Sequence, residues 1–152
     1  MLPKNPSNKL ETHEVFNVPS YLGDQDLWEN DRALKDWTNI LSGGWAVEKL
    51  KTIGKSVGSQ KVFDKADKAN KYVPELKIFD KYGMRINQVE FHPAYHELLD
   101  LAVSSEVHNF AWRHKKEGSH VVNAALIYMF CQPEGGIMCP MAMAYSVAPS
   151  LK

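Results

Sequence analysis

Two histidines four positions apart raise the question of a metal site. His92 and His96 lie in the stretch Val-Glu-Phe-His-Pro-Ala-Tyr-His-Glu, and Glu97 follows His96 directly. Zinc-dependent proteases place a glutamate between two helix-borne histidines that face the same ion. Here the glutamate stands after the second histidine, so the stretch resembles a zinc motif only in its residue types.

Pro93 predicts how the two histidines are arranged. Proline favours the first position of a helix and restricts the residue before it to an extended backbone. We therefore expect His92 to be an N-cap, and His96 to be hydrogen-bonded in the core beside an apolar stripe. A catalytic zinc also needs a third protein ligand. The other histidines show no ligand spacing: His13, His108, His114 and His120. The sequence predicts no metal site.

Other kinds of self-contained active site also lack support. The glycines fit neither the dinucleotide-binding spacing nor that of a phosphate-binding P-loop. No segment resembles the strained turn that carries a nucleophilic serine. We predict no catalytic residue in this chain.

Charge and hydropathy limit the classes of partner. The formal net charge is zero and the sequence pI is about 7.0, so the chain as a whole does not attract nucleic acid or an anionic membrane. Lys61, Lys65 and Lys68 are interleaved with acids and predict the solvated face of an amphipathic helix. The apolar run 121–131 is far shorter than the roughly 20 residues that cross a bilayer. We expect a soluble cytoplasmic protein without membrane contact.

The hydrophobic pattern predicts a mainly α fold in three parts. An extended N-terminal arm is expected at 1–26, a helical domain at 27–136, and the first strand of a truncated β-domain at 137–152. Within the helical domain, a small hairpin or extended excursion is expected near 76–91. Six helices are predicted, the first of them with Asp24 or Asp26 as its cap and Gly43-Gly44 as its end. They lie at 27–41, 45–58, 59–74, 93–103, 106–116 and 119–131. The last of them is apolar nearly all round, which predicts a buried central helix.

Four blocks of sequence together resemble the AidB-like branch of the acyl-CoA dehydrogenases. They are residues 12–17 (THEVFN), 85–96 (RINQVEFHPAYH), 107–112 (VHNFAW) and 139–145 (CPMAMAY). The resemblance runs in order over nearly the whole chain. It implies an acyl-CoA dehydrogenase-type N-terminal helical domain, and in that family the second block implies no metal.

The resemblance also implies a cofactor and partners for the complete family protein. Family members bind FAD, and the catalytic glutamate that removes a proton from the acyl-CoA is expected later than Lys152. Partners implied are the remaining domains of the parent chain or a homo-oligomer, acyl-CoA, and DNA through the C-terminal region. The AidB-like branch is associated with the response to DNA alkylation.

The cofactor residues that the resemblance carries over are Met143, Ala144, Tyr145 and Ser146. Ala144 stands where the family usually has threonine, so one hydroxyl that would hydrogen-bond the flavin is absent. An unpaired polar edge costs roughly 1 to 3 kcal/mol. The principal hypothesis is a helical domain of a flavin-dependent oxidoreductase that is inactive alone. The alternative is a stand-alone helical interaction module that binds protein or nucleic acid.

Overall fold

Helices and one β-hairpin make up the part of the chain that the computed structural model describes, residues 17–19 and 22–151. In chain order, the helices before the hairpin are α1 (Arg32–Ser42), α2 (Val47–Val57) and α3 (Gln60–Lys71). The hairpin consists of β1 (Glu75–Phe79) and β2 (Arg85–Glu90). It is followed by α4 (Pro93–Ser104), α5 (Phe110–Arg113), α6 (Ser119–Phe130) and α7 (Met138–Val147), and then by a 3-10 turn, Ala148–Leu151. The predicted mainly helical fold with a hairpin is confirmed.

Helix α1 begins later than the predicted start at Leu27. The side chain of Asp31 accepts a hydrogen bond from the Leu34 N–H, 2.8 Å away, and so caps the helix at that point. Asp26 instead accepts from backbone N–H groups of a turn that precedes the helix. The end at Gly43 is as predicted, because this residue adopts φ +68°, a conformation that suits glycine.

Helix α6 is the central helix of the core, as predicted. It packs against α1, α2 and α5, and its buried side chains include Val122, Leu126 and Met129. Asn123 is also buried, yet its amide is satisfied on both sides. It accepts from the Ala111 N–H and donates to the carbonyl oxygen of Val107. These two bonds hold the segment that leads into α5 against the central helix.

The hairpin lies between α3 and α4, as predicted. Leu76 stands opposite Val89, and the pairing is shifted by a bulge before Phe79 meets Arg85. The Asp80 side chain closes the turn by accepting from two backbone N–H groups. Every residue of both strands is exposed, so the hairpin projects from the helical body.

The structure differs from the prediction at 137–152, where a first β-strand was expected. Residues Met138–Val147 form α7 instead. Methionine and alanine favour a helix, and the carboxylate of Glu134 accepts from the N–H groups of Gly136 and Ile137 where the helix starts. A strand also needs a partner, and in the described part of the chain β1 and β2 pair only with each other. The division of the chain into three parts stays a prediction.

The predicted helix at 106–116 is also shorter in the structure, because only Phe110–Arg113 is helical. Most of the predicted arm at 1–26 lies outside the described residues, and so does the block 12–17 except for its last residue. None of the helices that the structure describes is long and apolar enough to cross a membrane.

Candidate cofactor-contact site

The four predicted cofactor residues follow one another on α7 and therefore point in different directions. Successive residues of an α-helix are rotated by about 100°. Met143 and Ser146 line the same open depression, which has a volume of about 480 Å³. Ala144 is exposed, whereas Tyr145 is half-buried. The structure therefore brings Met143 and Ser146 together and directs Tyr145 elsewhere.

The depression on α7 offers a mainly apolar surface. Its lining carries no charged side chain and consists of Cys139, Ala142, Met143, Ser146, Val147 and Ser150. The Ser146 hydroxyl donates to the carbonyl oxygen of Ala142, 2.6 Å away. Such a surface can contact one face of a planar ring, but it has no cation to neutralise the phosphates of a dinucleotide. The lining of this depression thus does not fit a complete FAD site.

Tyr145 belongs to an aromatic cluster on the inner side of α7. The Trp112 indole N–H donates to the Tyr145 carbonyl oxygen at 2.9 Å, and the two rings lie 5.3 Å apart. The His120 ring hydrogen-bonds the Tyr145 hydroxyl and meets the Trp112 ring edge-on at 4.9 Å. Burial raises the pKa of the Tyr145 hydroxyl. The cluster joins α5, α6 and α7.

Sequence reasoning missed this cluster as a unit. Trp112 belongs to the block 107–112 and Tyr145 to the predicted cofactor residues, but no spacing in the sequence connects the two. Their contact depends on the turn at 131–137, which folds α7 back onto α5. A helical prediction for 138–147 would have placed Met141 and Tyr145 on one inner face.

A second polar cluster surrounds Glu106. This residue has φ +64°, and its side chain is only 14% exposed. The carboxylate is hydrogen-bonded by Lys49 and lies 2.5 Å from Arg113 Nη1 and 3.2 Å from His114 Nε2. The hydrogen bond from Lys49, helped by His114 and Arg113, holds the pKa of Glu106 below its usual value against the effect of burial. The cluster ties α2 to the segment around α5.

The two histidines of the apparent zinc motif have separate roles. His92 is the N-cap of α4 as predicted, since its Nδ1 accepts from the Ala94 N–H at 3.1 Å. The prediction for His96 is wrong, because this residue is exposed. Leu98 and Ala102 are buried on the opposite side of α4, which turns His96 towards solvent. In the ranges 17–19 and 22–151, no group of three potential metal-ligating side chains could hold an ion.

The lysine side of α3 has the predicted amphipathic arrangement. Val62 and Ala66 are buried on the inner face, whereas Lys61 and Lys68 are exposed. Lys65 forms an ion pair with Glu97 of α4 at 2.6 Å. The hydrogen bond from Lys65 lowers the pKa of Glu97. One of the three lysines is therefore already engaged in an ion pair inside the domain.

Comparison with solved structures finds the same fold in proteins of known structure. Caenorhabditis elegans ACDH-11, determined in complex with C11-CoA, superposes with a TM-score of 0.76 and 18% identity over 95% of this chain and 26% of that chain. Bd2924 in its apo form superposes with a TM-score of 0.77 and 22% identity, over 85% of this chain and 26% of that chain. At these identities the likeness shows the fold alone.

Sequence comparison adds the family. The acyl-CoA dehydrogenase-like protein AidB of Escherichia coli (strain K12) is 34% identical over 142 residues, which cover 93% of this chain and 26% of that protein. The chain therefore spans about a quarter of the length of this relative. The profile of the family described as the adaptive response protein AidB N-terminal domain matches residues 17–152. The chain belongs to the AidB N-terminal domain family.

Proposed function

We propose that this domain forms one wall of the cofactor cleft in a longer, flavin-dependent protein of the acyl-CoA dehydrogenase type, and that it is inactive alone. The observation that carries the proposal is the exposed face of α7. It presents Met143 and Ser146 on an apolar depression but offers nothing that would hold phosphates. Such a face suits a wall that is completed by other domains.

This wall would contact the cofactor and exclude water from that side of the ring. FAD, when bound, would supply the acceptor for a hydride. Met143 is 67% exposed, so a ring placed against it would remove apolar surface from water. The base that removes the α-proton of the substrate is assigned to residues outside this chain, since the depression contains no carboxylate or histidine.

We propose acyl-CoA as the ligand class of the assembled protein. ACDH-11, whose fold this chain shares, was determined with C11-CoA. A reducing, cytoplasmic compartment suits the two exposed and unpaired cysteines, Cys131 and Cys139.

A direct role of this domain in DNA binding has less support. The matched family takes its description from an adaptive response protein. A link of the longer parent protein to DNA alkylation is therefore part of the proposal. However, the lysine face of α3 is interleaved with Asp64 and Asp67, and Lys65 is paired with Glu97. We therefore assign any DNA contact to regions outside this chain. The alternative of a stand-alone interaction module would require this face to bind a partner.

A variant of the longer protein tests the wall. Met143→Asp places a charge against the proposed ring position and is expected to weaken FAD binding at least about tenfold, or roughly 1.4 kcal/mol. Val103→Asp on α4 is the control, because this side chain is also exposed but lies on another helix. Flavin fluorescence titration of both variants gives the affinities. Equal affinities for the two variants would contradict the placement of α7 beside the cofactor.

A further inference from the structure

An open groove lies between α1 and α6. Its volume is about 430 Å³, and pockets that bind small molecules range from roughly 300 to 1,000 Å³. Small side chains, Ala33 and Ala124 among them, line the groove and leave the space between the two helices unfilled. No residue of α7 lines it, so the groove is separate from the proposed cofactor wall.

Two exposed aromatic side chains border the groove, Trp37 of α1 and Tyr128 of α6. They are 63% and 50% exposed, respectively. Elsewhere in the fold, Trp45 has the ammonium group of Lys116 at 4.7 Å from its ring centroid. Within the described ranges, neither ring of the groove has such a cation or a partner ring against it. Both aromatic faces are therefore available to a ligand.

Asp31 contributes the single charged side chain of the groove lining. Its Oδ1 atom accepts from the Leu34 N–H at 2.8 Å, and its Oδ2 atom accepts from the Tyr128 hydroxyl at 2.9 Å. The hydrogen bond to Asp31 raises the pKa of Tyr128, so the phenol stays protonated and the carboxylate carries the charge. A carboxylate has about four acceptor sites, and two neutral donors leave its charge in place.

The neighbouring cations of α1 are engaged with other acids. Arg32 pairs with Asp36 at 3.4 Å, and Lys35 pairs with Glu29 at 3.0 Å. In the part of the chain that the structure describes, Asp31 itself forms no ion pair. The groove thus presents an unneutralised negative charge beside two open aromatic faces.

This combination selects one class of ligand. Aromatic faces carry a negative partial charge and attract organic cations, as does a carboxylate. An anionic ligand would be repelled by the same groups. A metal ion would need several oxygen ligands, and the described residues contain no such group. An organic ammonium ion is less demanding, because its methyl or methylene groups can lie against the apolar lining.

We propose that the groove between α1 and α6 is a binding site for a small organic ammonium ion, held by the Asp31 carboxylate and the rings of Trp37 and Tyr128. The cationic centre lies next to Asp31 and the aromatic faces. The apolar part of the ligand covers the alanine side chains of the lining.

Choline and its neutral isostere, dimethylbutanol, in which carbon replaces the nitrogen atom, separate charge from shape. Both are titrated into the high millimolar range against the 152-residue chain, and two-dimensional NMR follows the backbone amides and the indole N–H groups. Asp31→Asn removes the charge but keeps the cap of α1, since asparagine is an equally good N-cap. Asp36→Asn is the matched control on the same helix, because Asp36 does not line the groove. Trp37→Leu removes an exposed ring and serves as a second variant.

We expect choline to cause saturable shifts of the Trp37 indole and of amides at 31–38 and 121–128, while the Trp45 indole stays unshifted. Dimethylbutanol and the Asp31→Asn variant should each weaken binding at least about fivefold, and Trp37→Leu about threefold. Asp36→Asn should bind choline like the wild type.

Three results would overturn the proposal. The absence of saturable shifts at the groove would mean that it binds no ammonium ion. Equal affinities for choline and dimethylbutanol would reduce the groove to an apolar surface. Equal affinities of Asp31→Asn and Asp36→Asn would place the cation elsewhere. None of these readouts involves flavin, so this proposal can fail while the proposed function stands.

Discussion

The indole N–H of Trp112 donates to the backbone carbonyl oxygen of Tyr145, 2.9 Å away. The two residues are 33 positions apart in sequence, and their hydrogen bond joins α5 to α7. His120 holds the hydroxyl end of the same tyrosine. With Tyr145 fixed at both ends, the rotation of α7 about its axis is fixed as well. This rotation determines that Met143 and Ser146 face outward.

Removal of the indole donor should loosen α7 selectively. Trp112→Phe keeps an aromatic ring but loses the bond to the Tyr145 carbonyl, a loss of about 1 kcal/mol. Hydrogen exchange of the amides at 142–147 should therefore become about fivefold faster, while the amides of α6 keep their protection. Unchanged exchange at 142–147 would mean that the buried residues Met138 and Met141 hold α7 without the cluster.

The Glu106 cluster should make a measurable contribution to stability. Glu106→Gln removes the charge that faces Lys49, Arg113 and His114, and we expect it to lower the free energy of unfolding by about 1 to 3 kcal/mol at neutral pH. Urea denaturation measures the loss. Glu117→Gln is the control, because Glu117 is an exposed residue of the same charge.

The contribution of Glu106 should also depend on pH in one direction. Its pKa is lowered in the folded chain, so the stabilisation is present above the ordinary glutamate pKa of about 4.3 and is lost as the pH falls through the folded value. The difference between the wild type and Glu106→Gln should therefore shrink on acidification below pH ~4. A difference that stays constant in acid would mean that the carboxylate charge does not stabilise the fold.

Much of the fold could be predicted from local sequence. The stop of α1 at Gly43, the cap of α4 at His92 and the hairpin all follow from residue types that have one strongly preferred local conformation. The predictions were wrong where tertiary contacts or competing cap residues decide which element forms and where it begins. Asp31 rather than Asp26 starts α1, and the apolar pattern of 137–147 fits a buried strand as well as a helix. Of the candidate site, sequence supplied the segment but not its orientation.

Gly118 is a position where no other residue should fit. It has φ +72°, and a Cβ atom there would lie 2.4 Å from the Ser42 Cα atom. Gly118→Ala should therefore cost about 2 to 4 kcal/mol from backbone strain and overpacking together. Gly83→Ala is the matched control, because Gly83 also has positive φ but has nothing within 4 Å of an added Cβ. Its expected cost is only about 1 to 2 kcal/mol.

Thermal unfolding of the two glycine variants separates strain from crowding. For a chain of this size, 1 kcal/mol corresponds to about 2 to 4 °C in Tm. Gly118→Ala should melt several degrees below Gly83→Ala. Equal melting temperatures would show that the close approach of α6 to the end of α1 relaxes at little cost.

A flavin titration of this chain alone tests the central claim most directly. Purified protein would be titrated with FAD, with and without a C11 acyl-CoA, and followed by flavin absorption and fluorescence. The account predicts no saturable binding under either condition, because α7 supplies one apolar wall and no group for the phosphates. Tight, stoichiometric binding by this chain would contradict the account, since it would mean that 152 residues build a complete cofactor site.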